Sequence, residues 1–213
     1  MIFSVGMPVT GQAVSTAGFM GIRAFRAEDI EEAGQMAYDV WSYELGGADP
    51  ALNRFIHEYL VRYYDVNRRY SFSIATERLA AFLLAGFKKD KNDCDRWFER
   101  GLSFFSPEKR KIAQEYRSYL DRNGNAVKKI MGECDVQMGL FMSRVGGTGR
   151  MLLQNLESIC RKSGVGNLFL WADATCNVQY YGKNGFEILE RFENNAFSDA
   201  ACLETCIFKK RLN

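Results

Sequence analysis

The spacing of apolar positions along the chain switches repeatedly between a period of two and a period of three to four. Gly21-Ile22-Arg23-Ala24-Phe25-Arg26 alternates and predicts a first strand. Ala27-Glu28-Asp29 then opens a helix, its acids placed where the positive end of the helix dipole favours them. Ile30, Ala33, Ala37, Val40 and Trp41 give that helix one apolar face, and Gly46-Gly47 breaks it. Asp49 before Pro50 reads as an N-cap with proline at the first helical position. Leu52, Phe55, Ile56, Tyr59, Leu60 and Tyr63 then recur at intervals of three and four. The sole histidine, His57, falls off this stripe among Arg54, Glu58 and Arg62, and is expected at a solvated rim rather than in catalysis.

Tyr70 to Ala75 and Leu79 to Lys88 predict an antiparallel hairpin about the short turn Thr76-Glu77-Arg78. Residues 90–125 interrupt the strands. Trp97, Phe98, Leu102 and Phe105 predict one short helix. Ser106-Pro107-Glu108 starts a second, with Ile112, Ala113, Tyr116, Tyr119 and Leu120 on a face, and Asp121-Arg122-Asn123-Gly124-Asn125 is expected to end it. This helical insert either packs on the sheet or forms a wall over a binding site. Glu133 to Met142 is the central strand. Its alternation puts Cys134, Val136, Met138, Leu140 and Met142 on one face, and Glu133, Asp135, Gln137, Gly139 and Phe141 on the other. Gly139 in mid-strand points to a bulge or a close backbone approach.

A glycine-rich turn, Arg144 to Arg150, follows, and Met151 to Lys162 carries Leu152, Leu153, Leu156, Ile159 and Cys160 at helical spacing before a cap at Gly164. Asn167 to Trp171 is a short apolar strand of the buried type. A short helix runs to about Tyr181, and Lys183-Asn184-Gly185-Phe186 turns into two closing strands, Phe186 to Phe192 and Ala201 to Lys209, joined through Glu193-Asn194-Asn195. Interleaved strands and helices make this an α/β (α+β) chain, and the hairpin makes its part of the sheet antiparallel.

With 213 residues and 47% hydrophobic content the chain can bury a full core, and it reads as one domain, 21–213, behind an N-terminal extension, 1–20. A net charge of +2 gives no general case for nucleic acid or a membrane surface, and no apolar run approaches a membrane span of about 20 residues. The first 21 residues lack Lys and Arg, so the basic start of a signal peptide is missing. The six cysteines contain no C-x-x-C spacing, and with one histidine a metal site is not expected. These features fit reduced thiols in a cytosolic protein.

Chemistry concentrates in two stretches. In Arg144-Val145-Gly146-Gly147-Thr148-Gly149-Arg150, glycines allow backbone N–H groups to converge without an intervening Cβ, and the first turn of the next helix adds unpaired N–H groups and a positive dipole end. That is a phosphate or pyrophosphate cradle. The Lys-Ser/Thr pair of a P-loop is missing, and Leu152 stands where a dinucleotide fingerprint needs its third glycine. The pattern R-x-x-G-x-G is met by Arg144, Gly147 and Gly149, and about 30 residues on, Tyr-x-Lys-x-Gly-Phe is met by Tyr181, Lys183, Gly185 and Phe186. Together, in this order and with a strand between them, they resemble the two signatures of the GNAT N-acetyltransferase superfamily. The order of predicted elements matches as well, over residues 21–210.

The resemblance implies a GNAT fold, its sheet mixed and mostly antiparallel overall, that binds acetyl-CoA. The backbone of Leu140, Phe141 and Met142 would hold the pantetheine arm, and amides of Val145, Gly146, Gly147, Thr148, Gly149 and Arg150 the pyrophosphate, with charge from Arg144 and Arg150. The central strand and the 167–171 strand would splay to admit the thioester. Many members carry Asn seven residues before the tyrosine; this chain has Ala174 there, and Asn177 one turn later is the candidate substitute. Tyr181 occupies the general-acid position, and Glu133 or Asp135 is the candidate general base. The implied reaction is acetyl transfer to a primary amine of a small molecule or protein by direct attack in a ternary complex. Bulky Phe141 and Met142 favour acetyl over longer chains. The alternative is a non-catalytic acyl-CoA-binding sensor. Members of the family often pair through sheet edges, so a homodimer is an expectation.

Overall fold

The computed structural model describes residues 21–42, 49–195 and 202–212. The N-terminal extension and the Gly46-Gly47 break lie outside the described residues. The elements are β1 (Ile22–Ala24), a single 3-10 turn (Ala27–Asp29), α1 (Ile30–Trp41), α2 (Pro50–Tyr64), β2 (Phe72–Ala75), β3 (Leu79–Phe87), α3 (Cys94–Leu102), α4 (Pro107–Ile130), β4 (Val136–Ser143), α5 (Thr148–Lys162), β5 (Asn167–Asp173), α6 (Val178–Lys183), β6 (Glu187–Asn195) and β7 (Cys202–Arg211). The strands form one seven-stranded sheet in the order β1-β2-β3-β4-β5-β7-β6. The central pair β4–β5 is parallel, and the other neighbours are antiparallel.

The sheet separates two cores. On one face α1, α2, α3 and α4 bury residues such as Trp41, Leu60, Phe98 and Leu120 against Phe82, Leu140 and Trp171. On the other, α5 and α6 bury Leu152, Leu156 and Tyr181 against Leu83, Met138, Phe141 and Phe208. Helix α2 starts as its sequence predicts, with Asp49 Oδ1 accepting hydrogen bonds from the amides of Ala51 and Leu52 at 2.7 and 3.2 Å. Its histidine does not lie at a solvated rim. His57 is 1% exposed, between Tyr38 of α1 and Tyr116 of α4, and its Nδ1 donates to the carbonyl of Asn53 at 2.7 Å. A stripe pattern finds one covered face, whereas α2 is covered by the sheet, α1 and the insert together.

Helix α4 runs straight through Asp121–Asn125, where the sequence reads as a terminator, and ends only at Ile130. Tertiary partners account for this. Tyr63 Oη donates to Asp121 at 3.0 Å, buried Asn123 accepts from Asn194 at 2.8 Å, and a Cβ on Gly124 would sit 3.2 Å from Tyr63 Oη. The closing strands also outrun expectation, since Glu193, Asn194 and Asn195 pair with Glu204, Leu203 and Cys202.

The feature that positions the site is the bulge in β4. Leu84 of β3 pairs with Leu140 and Ala85 pairs with Met138, so Gly139 is the unpaired extra residue. The bulge reverses the alternation. Val136, Met138 and Phe141 face the α5 core, whereas Leu140 and Met142 face the α1–α4 core. The single face expected for the even-numbered residues is therefore split at the glycine that the sequence singled out. Only glycine fits here, because a Cβ would lie 2.0 Å from Cδ1 of Tyr64.

Candidate active site

Strands β4 and β5 pair only at Val136↔Leu168 and Gln137↔Phe169. Beyond those two pairs they part, and the edge of β4 from Met138 onward has no ladder partner on the β5 side. Its other edge stays bound to β3, where Leu140, Phe141 and Met142 face Leu84, Leu83 and Phe82. A wedge-shaped opening with free strand edges thus begins at the bulge.

At the wide end of the wedge stands the glycine turn. Gly147 adopts φ 83°, the left-handed region that favours glycine, as N-cap of α5. Thr148 locks the turn: its Oγ1 donates to Val145 O at 2.7 Å, and its amide reaches the same carbonyl at 3.3 Å. Ser143 Oγ lies 2.8 Å from Thr148 Oγ1. Gly149 presses on β4, where a Cβ would meet Phe141 and Ser143 at 3.3 Å. The amides of Val145, Gly146, Gly147, Gly149 and Arg150 have no acceptor among the described residues, whereas Thr148 and Met151 donate to Val145 and Gly147. Five acceptor-less N–H groups at a helix start are donors that anionic oxygens could satisfy.

The two arginines behave differently. Arg150 is exposed on α5 beside Tyr180. Arg144 is turned to the other side of the loop: its amide donates to Ala80 O at 3.0 Å, its Nε to Leu79 O at 2.6 Å, and its Nη2 pairs with Glu32 at 2.5 Å. Arg144 thereby anchors the loop to β3 and α1, and its donors do not converge on the cradle. Asn177 is likewise occupied, capping α6 through the amide of Tyr180 at 3.3 Å.

The α6 turn carries two phenols into the α5 face. Tyr181 is fully buried, its ring 5.8 Å from that of Phe186 and 5.2 Å from that of Phe208. Tyr180 meets Phe141 of β4 edge-on at 6.2 Å. Neither hydroxyl has a hydrogen-bond partner among the described residues. Burial pushes the Tyr181 phenol well above its ordinary range, with the nearby Cys176 and Tyr180 adding to it. Orphaned buried hydroxyls are costly unless a ligand completes them.

The two carboxylates expected as bases lie at the closed end. Glu133 precedes β4 altogether, exposed and paired with Lys89 at 2.6 Å, which lowers its pKa. Asp135 Oδ2 accepts from Gly132 N and Oδ1 from Asn167 Nδ2, both at 2.8 Å. It stitches the start of β4 to the start of β5, where the strands are paired rather than parted. The residue that sequence reasoning passed over is Asp173, at the open end of β5. It is buried and accepts from Tyr119 Oη of α4, from Thr175 N at 3.0 Å and Oγ1 at 2.6 Å, and from Cys176 Sγ at 3.3 Å. Cys176 packs against both cores at once. Burial and the Asp173 charge hold the thiols and phenols here, Cys176 and Tyr119, well above their ordinary pKa values. Only a carboxylate following an apolar strand marked Asp173 in the sequence.

No family model and no curated protein matches the sequence. Solved structures match in fold. The C-terminal condensation domain of Ebony, in complex with beta-alanyl-dopamine, superposes with a TM-score of 0.59 at 12% identity, over 90% of this chain and 98% of that one. An agmatine N-acetyltransferase gives 0.58 at 12% identity, over 90% and 99%. The Salmonella typhimurium protein yncA, determined with its cofactor acetyl-CoA, gives 0.52 at 12% identity, over 91% and 94%. The chain therefore has the fold of the GNAT N-acetyltransferases.

Proposed function

We propose that this protein is an acetyl-CoA-dependent N-acetyltransferase that acetylates a primary amine by direct attack in a ternary complex. The observation that carries the reading is the conjunction along β4: a strand edge freed at the Gly139 bulge leads to five acceptor-less amides at the start of α5. A long ligand with amide groups in its arm and a pyrophosphate at its end satisfies both. The edge of Leu140 to Met142 would take the arm, and the amides of Val145, Gly146, Gly147, Gly149 and Arg150 would take the pyrophosphate.

Acetyl-CoA supplies the acyl group as a thioester, activated toward amines. The amine nitrogen forms the new C–N bond as the C–S bond breaks, and the thiolate leaves with a proton. A free alkylammonium has a pKa of about 10.4, so the acceptor must first lose a proton to attack. Tyr181 is the proton donor to the departing sulfur. Its raised pKa keeps the phenol protonated across the working pH range, and its hydroxyl has no hydrogen-bond partner among the described residues. Asp173 positions: it fixes Tyr119 and the turn that leads into α6.

Calorimetric titration with acetyl-CoA and with free CoA tests the reading. Micromolar binding of both supports it, and no binding of either removes it. Tyr181→Phe should then lower kcat at least tenfold with acetyl-CoA affinity nearly intact, and an unchanged kcat would take Tyr181 out of the mechanism.

A further inference from the structure

On the opposite face of β4 from α5, a cavity of about 330 Å³ opens beneath the helical insert. Its floor includes Gln137 and Gly139, so it reaches the strand at the very residue where β4 and β5 part. The volume is at the small end of ligand sites. Three of its wall positions are glycines against which neighbours pack closely: a Cβ on Gly86 would come 2.5 Å from Val66, one on Gly124 would come 3.2 Å from Tyr63 Oη, and one on Gly139 would strike Tyr64.

The charges around this cavity are ordered. Helix α4 presents Arg117, Asp121, Gly124 and Lys128 at spacings of four, three and four, one stripe of the helix. Arg117 is neutralised by Asp95 at 3.0 Å and Glu99 at 2.8 Å. Asp90 is held by Asn67 Nδ2 at 2.6 Å and the amide of Phe87 at 2.8 Å. Both contacts of Asp90 fall on Oδ2, so it keeps one oxygen unengaged, as Asp121 does, and two ammonium groups, Lys91 and Lys128, complete the charged lining. Asp121 has a single oxygen engaged, by Tyr63, and Lys128 has no ion-pair partner among the described residues. Gln137 adds an independent sign of a missing ligand: it is 8% exposed, and its Nε2 donor has no acceptor among the described residues.

We propose that this cavity is the acceptor pocket and that it takes a small zwitterion bearing a primary ammonium and a carboxylate, an amino acid in chemical class. The inference rests on the acetyltransferase reading of the splayed strands. Asp121 binds the ammonium, and Lys128 with Gln137 Nε2 binds the carboxylate. A partly buried ion pair with hydrogen-bond support discriminates strongly against a ligand lacking either charge, because the unused group is then left desolvated. The insert thus sets acceptor specificity from above.

The test uses the full chain and two separate titrations. Saturation-transfer NMR with a mixture of the twenty common L-amino acids reads the pocket directly, and calorimetry with acetyl-CoA reads the coenzyme side. At least one amino acid should bind, and its decarboxylated amine should bind at least tenfold more weakly. Asp121→Asn retains an acceptor for Tyr63, and Lys128→Met retains the helix. Each should weaken amino-acid binding tenfold or more and leave acetyl-CoA affinity unchanged. The proposal is overturned if no amino acid binds, if the decarboxylated amine binds as well, or if both variants bind like the wild type. Amino-acid binding without acetyl-CoA binding would instead sink the acetyltransferase reading and keep the pocket.

Discussion

Lowering the pH from 7.5 to 5 should remove about 2 kcal/mol of folding stability through one side chain, His57. Burial holds its folded-state pKa down at about 4, against an ordinary value near 6.5. Between those two values the unfolded chain binds a proton that the folded chain refuses, so stability rises with pH in that window and falls as the pH drops below about 6.5. At pH 5 the unfolded state gains a protonation factor of roughly 30 over the folded state, which is the 2 kcal/mol above; at pH 7.5 the factor is close to one. The window is clean. There is one histidine in the chain. The carboxylates with lowered values, Asp29 among them, give up their contribution at more acid pH, and the shifted phenols and thiols have moved upward. Around the ring stand Tyr38 and Tyr116, and the causes of the shift include no carboxylate that would stabilise the imidazolium. Urea unfolding followed by tryptophan fluorescence at pH 7.5 and pH 5 measures the difference, with His57→Leu as the control. The variant should be nearly flat over this interval. A wild type that is equally flat, or a variant with the same slope, would refute the reasoning.

Gly139→Ala should destabilise the protein by about 1–3 kcal/mol, because the added methyl enters the ring of Tyr64, itself fixed by Trp171 Nε1 at 2.9 Å. At roughly 2–4 °C per kcal/mol for a chain of this size, a melting temperature within 1 °C of wild type would contradict the close packing at the bulge. Glu133→Gln should leave turnover within twofold of wild type, since the carboxylate is exposed and paired with Lys89. A tenfold fall would restore it as a catalytic base.

Local signals were legible in the sequence wherever the chain's own chemistry decides the outcome. Asp49-Pro50 caps α2 because its side chain reaches amides two and three residues on. Gly139 marks the bulge because no Cβ fits there, and Gly147 marks the turn because its φ is positive. What failed was decided by partners far away in the chain. Asp121 to Asn125 has the composition of a helix end, yet Tyr63 and Asn194 hold it in helix from 58 and 71 positions away. His57 looked solvated because its own helix supplies only one apolar stripe, and its cover comes from α1 and α4. The expected faces of β4 differ for another reason: the one extra residue at Gly139 sends every side chain beyond it to the opposite side of the sheet.

That reversal also relocates the chemistry. An unbroken β4 would place Glu133 and Asp135 in line with Gln137 and Gly139 along a strand that ran from the acids to the glycine loop. The observed strand is divided at Gly139 into a half that pairs with β5 and a half that does not. Asp135 belongs to the paired half, where its bond to Asn167 helps keep the strands together. Asp173 and Asp121 lie on different elements and in different states. Asp173 accepts four donors and is spent on fixing the turn into α6, whereas Asp121 keeps an oxygen free in a cavity that ends at Gly139. The division of labour follows from hydrogen-bond count alone: the saturated carboxylate holds structure, and the unsaturated one is available to a ligand.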